Sequence, residues 1–483
     1  MGRDVRHFTR RSRGTLLVAL LLVALLGAGA AASYRFQVGP AYLPWLAHDT
    51  QPEPVPPPAG LDLPAPAPPT PLVDAAPTSG PVDPAAVRRA LRGVLANDAF
   101  GPRLAISVAA LEGPVWAQGP AAFTPASTTK VLTAVAALDV LGPEHRFTTS
   151  VTSGRRGGEI VLVGGGDPYL AASATPAQQR AAVYPERADL ATLAVQVRAA
   201  LAETGADIEP VRLRYDDTLF TGPSASEHWR ADYVPDDVVA PITALMLDGG
   251  REDGGLGRAD DPSEATAHAF AAALRHAGVK VQGLPRPGVA GSEQLASVQG
   301  ARLADVVETV TVYSDNEGAE LLAHHVGLAA GGEGSFAAGA AATLERLDGL
   351  GVDTSGTELY DGSGLSRSNL ISTSTLIGTL RAGASAEHPD LRAAWTGLPV
   401  AGFTGSLYDR FADSERGMGL VRAKTGTLTG VHALAGTVLD AQGHVLLFVV
   451  GADRVDPTRA LDAEAGLDAV ATALTACSCT RAG

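Results

Sequence analysis

Lysine is nearly missing from this 483-residue chain. Of 37 basic residues only Lys130, Lys280 and Lys424 are lysines, so arginine meets almost every other need for positive charge. Arginine cannot give up a proton and act as a base, and a lysine kept beside a serine therefore marks a need arginine cannot meet. Asparagine is as scarce, at Asn97, Asn316 and Asn369. The only cysteines, Cys477 and Cys479, are too few for a zinc site, and no His-Glu-x-x-His or Cys-x-x-Cys supplies further ligands. In an oxidising compartment they could pair across one residue, in a cramped ring, and we assign them no function. Neither a metal nor a cofactor is expected.

Net positive charge is also absent. The chain carries a formal charge of −15, and because Met1 to Gly14 is net +4 the remainder stands at −19. So acidic a surface disfavours nucleic acid as a partner and argues against unaided adhesion to anionic lipid. The basic start, the apolar run Thr15 to Leu26 and the small residues to Ser33 have the layout of an export signal (1–33). Thr15 to Ala32 is also just long enough to stay as a membrane anchor, so cleavage and anchoring both remain open, with an extracytoplasmic location in either case. Fifteen of the 33 prolines lie between Gln37 and Pro84, which makes 34–84 a stiff, extended linker.

From Pro84 onward the pattern is globular. Ala85 to Asn97 reads as an amphipathic helix and Leu104 to Leu111 as a strand; Pro125 then opens a buried helix that contains Ser127 and runs to Leu141. Glu159 to Pro168 is a strand entering a glycine turn, since Gly164-Gly165-Gly166 lacks the Gly-Lys ending of a phosphate loop. Alternating elements follow, with a helix capped by Asp189 and stopped at Gly205, another capped by Ser263, and Lys280 an ordinary strand residue. They mark 151–299 as an inserted module. Helices at Leu303 to Val310, around His325, at Phe336 to Leu347 and at Thr373 to Arg381 lead to three strands, Val421 to Thr427, His432 to Leu439 and His444 to Gly451. That is an antiparallel meander, covered by a helix from Leu461 to Leu474. Adjacent His324 and His325 must face different ways, so they are not expected to form a metal pair.

Three patterns stand in chain order: Ser127-Thr-Thr-Lys130, Ser314-Asp-Asn316 and Lys424-Thr425-Gly426. Each occurs once, and together they resemble the signature of penicillin-binding proteins and class A beta-lactamases. Ser127 would attack a carbonyl, with neutral Lys130 as its base. Backbone N–H groups of Ser127 and Thr427 would hold the oxyanion. Ser314 would relay a proton to the departing amine, and Asn316 would hold the substrate amide. Lys424 and Thr425 would take a substrate carboxylate. Lys424 would also help keep Lys130 neutral, while Gly426 leaves room for substrate against the strand.

The resemblance extends further. The 184-residue gap from Lys130 to Ser314, with Leu162 to Pro168, Asp361-Gly-Ser-Gly-Leu-Ser366 and Gly402-Phe-Thr-Gly-Ser-Leu407, is similar to the class C low-molecular-mass penicillin-binding proteins, the D-alanyl-D-alanine carboxypeptidase/endopeptidases. It covers about Ala85 to Gly451. It implies an α/β fold of the α+β type, a transpeptidase/beta-lactamase-like antiparallel sheet flanked by helices, formed by 85–150 and 300–483 around the inserted module. The implied partners are peptidoglycan stem peptides and beta-lactams. A beta-lactamase, a non-catalytic wall-binding or beta-lactam sensor, and an exported esterase are the alternatives. The glutamate loop of class A beta-lactamases, Glu-x-x-Leu-Asn, is missing between Asn316 and Lys424, so a slowly hydrolysed acyl-enzyme is expected with beta-lactams.

Overall fold

The computed structural model of the chain describes residues 80–173, 184–203, 210–252, 257–412, 414 and 416–480. The leader, nearly all of the proline-rich linker and Gly205 lie outside them. Helix α1 (Pro84–Leu91) starts on an Asp83 cap with proline at its first position. It is shorter than the Ala85–Asn97 period suggested, because the chain tightens into a 3-10 turn at Val94–Ala96. Next come β1 (Leu104–Ala110), β2 (Trp116–Gln118), β3 (Ala122–Phe123), α2 (Thr129–Leu141), β4 (Arg146–Ser153) and β5 (Glu159–Val163). They are followed by α3 (Leu190–Glu203), β6 (Arg212–Asp216), α4 (Pro262–His276), β7 (Arg286–Pro287) and β8 (Gln294–Arg302). Helices α5 (Leu303–Tyr313), α6 (Asn316–Ala329) and α7 (Phe336–Gly349) precede β9 (Ile371–Ser372), α8 (Thr373–Ala384) and α9 (Arg392–Thr396). The meander β10 (Val421–Leu428), β11 (Val431–Leu439) and β12 (Val445–Ala452) and helix α10 (Ala460–Thr475) close the chain.

The main sheet runs β10-β11-β12-β1-β2 and is antiparallel throughout, with β10 at one edge. Its strands are apolar on both faces, and the two-residue alternation of a strand sends neighbouring side chains to opposite sides. Ala105, Ala109, Leu447 and Val449 pack with α2 and α8 in one core, while Ile106, Val108, Phe448 and Val450 pack with α1 and α10 in the other. Sandwiched this way, α2 is buried from Thr129 to Leu138, as expected of a helix with no polar face. A second sheet, β7-β6-β5-β4-β8, carries α3 and α4 over its own core and occupies 146–302.

Two sequence expectations need correction. Asp261, not Ser263, caps α4: its carboxylate accepts from Glu264 N at 2.9 Å, with Pro262 at the first helical position. Ser127 does not sit within a helix but in a 3-10 turn, Ala126–Thr128, that feeds α2. Cys477 and Cys479 are joined in a disulfide. Among the described residues no helix is long and apolar enough to cross a membrane.

Because α2 is enclosed on every side, its core side chains have little room to relax when truncated. Leu132, wholly buried, is expected to cost about 2–5 kcal/mol when replaced by alanine. Equilibrium urea denaturation of Leu132→Ala checks this; a loss below about 1 kcal/mol would contradict the packing described.

Candidate active site

The turn bearing Ser127 is held from within and pressed from two sides. Thr128 Oγ1 donates to the Pro125 carbonyl at 2.8 Å and Thr129 Oγ1 to the Ala126 carbonyl at 2.9 Å. Ala126 adopts a φ of +47°, a left-handed value that a residue with a Cβ takes only under constraint. The constraint comes from two glycines far away in sequence. A Cβ on Gly364 would stand 1.9 Å from the Ala126 carbonyl oxygen, and one on Gly426 would stand 2.5 Å from that of Pro125. Gly426 thus lets strand β10 close on the nucleophile turn, a tighter requirement than the substrate room expected of it.

Lys130, near the start of α2, is fully buried. Its Nζ lies 2.9 Å from Ser127 Oγ, 2.8 Å from Asn316 Oδ1 and 2.7 Å from the Ser363 carbonyl oxygen. The last two are acceptors that can only take a proton. A neutral amine has two N–H groups and one lone pair, so when the two carbonyls hold the hydrogens, the lone pair is left facing the serine. Burial pulls the Lys130 pKa from 10.5 down to about 8, against the opposing attraction of Glu320, Asp361, Asp315 and Glu317. Burial and then the charge of Lys130 push Lys424 well below the ordinary lysine range. Desolvation is thus the largest influence on both amines, and the like charges of Lys130 and Lys424 disfavour protonation of the pair together.

Helix α6 begins at Asn316, capped by Asp315. Its first turn is gripped by side chains from the segment between β5 and α4. Tyr169 OH donates to Asp315 Oδ2 at 3.1 Å, Arg258 Nε to Glu317 Oε1 at 2.8 Å, and Arg251 reaches both carboxylates at 3.4 and 3.3 Å. Asn316 Nδ2 donates to the Val238 carbonyl at 3.3 Å. Ser314 ends α5 in the left-handed region (φ 59°). It is brought to the same loop, but its hydroxyl makes no hydrogen bond among the described residues. On β10, Lys424 Nζ donates to the Thr425 carbonyl at 3.0 Å and Thr425 Oγ1 to Ser406 Oγ at 2.8 Å. Thr427 is exposed on that edge strand, opposite His432.

Sequence reasoning missed the residues that hold the lysine from behind. Ser363 lies in a loop that the resemblance flagged without a role. Glu320, wholly buried one turn beyond Asn316, accepts from Gly362 N at 2.9 Å and Ser363 N at 2.8 Å. Asp361 accepts from Trp229 Nε1 at 2.8 Å, Asn369 Nδ2 at 2.6 Å and the Gly364 and Ser366 amides. Two buried carboxylates thus shape one loop so that its carbonyl meets Lys130. Asp361 opens the run that the resemblance flagged, and the only sequence signal for Glu320 is that it falls on the Asn316 face of α6.

A central buried helix fed by a strained serine turn, with its lysine facing an asparagine loop and an edge strand, defines the class of serine acyl-transfer proteins that react with penicillin. The D-Ala-D-Ala carboxypeptidase 3 (S13) family profile matches residues 103–256 and 253–474. The chain belongs to this family. It is 36% identical to a carboxypeptidase DacB of Mycolicibacterium smegmatis, over 85% of this chain and 89% of that one. It is 30% identical to a D-alanyl-D-alanine carboxypeptidase of an Actinomadura strain, over 68% and 72% respectively. Among solved structures, penicillin-binding protein 4 of Haemophilus influenzae superposes with a TM-score of 0.63 at 21% identity, covering 78% of this chain and 97% of that one, which shows the shared fold.

Replacing Glu320 by glutamine puts an amide N–H against one of two backbone N–H groups, and it removes a carboxyl that burial pushes up to about 8, so that its negative charge is present over the upper part of the range in which Lys130 titrates. The mismatch is expected to slow acylation of Ser127 by about tenfold or more, an unmet buried donor costing about 1–3 kcal/mol. Loss of the charge should move the Lys130 midpoint below the wild-type value. Stopped-flow acylation of Glu320→Gln across pH measures both, and an unchanged rate and midpoint would contradict this role.

Proposed function

We infer that the chain is a serine-type D-Ala-D-Ala carboxypeptidase that acts on peptidoglycan stem peptides outside the cytoplasmic membrane, through an acyl-enzyme on Ser127. The observation that carries this reading is the three-way setting of the Lys130 amine. Neutral Lys130 takes the Ser127 proton as Oγ adds to the penultimate D-alanyl carbonyl. The oxyanion is received by the Ser127 and Thr427 N–H groups. The C–N bond then breaks, and the departing D-alanine amine takes its proton back from Lys130 through Ser314, whose hydroxyl has no competing hydrogen bond. Water releases the acyl group by the reverse proton path.

Asn316 spends its oxygen on Lys130 and one amide N–H on the Val238 carbonyl, which leaves its second N–H for a substrate carbonyl. Thr425, Lys424 and the neighbouring Ser406 hydroxyl take the terminal carboxylate, whose charge replaces the solvation Lys424 lacks. The inserted 151–299 module acts as a clamp on α6, since Tyr169 and Arg251 come from it. The basic, apolar leader supports export, by secretion or anchoring. Cutting of cross-links belongs to the same chemistry, with a larger amine as leaving group.

Beta-lactams acylate the same serine. Class A beta-lactamases hydrolyse that adduct fast with a carboxylate free to activate water, and here the two carboxylates that shape the Ser363 loop are occupied: both Glu320 oxygens hold amides, and Asp361 holds four donors. This argues against the beta-lactamase reading, and a pure binder would need neither the buried amine nor its serine contact.

Fluorescent penicillin followed by a denaturing gel tests the assignment: the wild type should be labelled and Ser127→Ala unlabelled. The acylation rate should rise with pH through about 8, because the base is active only when deprotonated. An unlabelled wild type, fast steady-state penicillin turnover, or a rate that falls over this range would contradict it.

A further inference from the structure

Water-exposed aromatic side chains are not scattered over this protein. Among the described residues the exposed Phe, Tyr and Trp side chains are Tyr184, Tyr313, Phe403 and Tyr408, between 57% and 70% exposed. All four line one groove of about 730 Å³, a size suited to a bound ligand. Aromatic surface left in water and gathered in one place marks a recognition site.

Residues of the groove are chain neighbours of the catalytic ones. Tyr313 directly precedes Ser314. Arg422, also lining the groove, lies two residues before Lys424 on β10 and so on the same face of the strand. Gly405 precedes Ser406, the partner of Thr425, and is wedged on α5: a Cβ there would stand 2.2 Å from the Val312 carbonyl oxygen. One wall of the groove is therefore fixed, and it is built from segments that also carry Ser314, Ser406 and Lys424.

Charge decides what it accepts. Glu308 is engaged, its carboxylate accepting from Tyr184 OH at 2.5 Å and from the Thr396 hydroxyl. Arg422 has no ion-pair partner among the described residues. One charge of each sign leaves the groove balanced, in a chain of net charge −15. The groove's single guanidinium is too little for the several carboxylates of a stem peptide. Rings with apolar faces, interspersed with threonine and tyrosine hydroxyls, instead match a neutral ligand that has apolar C–H faces and a polar rim. We propose that this groove binds N-acetylated saccharide, the glycan strand to which the stem peptides are attached. The source of the saccharide rests on the function proposed above; the binding itself does not.

Titration of the full chain with the tetramer of N-acetylglucosamine, read by saturation-transfer NMR and intrinsic fluorescence, is the test. The wild type should bind. Phe403→Ala/Tyr408→Ala should weaken binding by roughly tenfold or more, with D-alanine release from a free pentapeptide unchanged and KM raised only for glycan-attached substrate. Tyr408→Trp, which keeps a ring, should retain binding. No tetramer binding by the wild type overturns the proposal. So does a double variant that raises KM equally for a glycan-free cross-linked peptide, or that loses binding to anionic vesicles in place of saccharide. If Ser127 fails to label with penicillin while the tetramer binds, the catalytic reading falls and this one stands; labelling without binding overturns this one alone.

Discussion

Everything in the site depends on one amine deprived of water. Lys130 is fully enclosed, and enclosure alone would make it inert. What makes it useful is that its two other neighbours are carbonyl oxygens, so the lone pair of the neutral form has one direction left, toward Ser127. Burial sets the proton affinity and the acceptors set the aim. Arginine could supply neither, which explains why one of the chain's three lysines stands here.

The rest of the architecture keeps that amine in place. Asn316 arrives on a helix whose first turn is clamped by Tyr169, Arg251 and Arg258. Ser363 arrives on a loop shaped by Glu320 and Asp361. Close approach of these pieces to the serine turn requires glycine at Gly364 and Gly426, where any side chain would overlap a carbonyl of the turn. The buried carboxylates meet backbone N–H groups and the buried amine meets carbonyls, so the low-dielectric interior strengthens the contacts it would otherwise penalise.

Much of this was legible in the sequence. The meander β10–β12 follows from three apolar runs split by short turns, and its strands fall within a residue or two of expectation. The Ser127–Lys130 contact follows from a three-residue spacing, although the serine sits in the 3-10 turn just before α2 and not on the helix itself. Glu320 and Ser363 were not legible as functional residues, because their roles rest on a helix carboxylate meeting loop amides 42 and 43 residues away, which no local spacing encodes. The exposed aromatics were equally hidden: Tyr184, Tyr313 and Phe403 sit on separate segments and share a surface only after folding.

The scarcity of lysine allows the central claim to be measured directly. Lysine labelled with ¹³C at Cε gives one resonance for each of the chain's three lysines, and Lys130→Arg identifies the one that belongs to Lys130. That resonance is expected to titrate with a midpoint of about 8. A Lys130 that stays protonated to about pH 10, as an exposed lysine does, would contradict it.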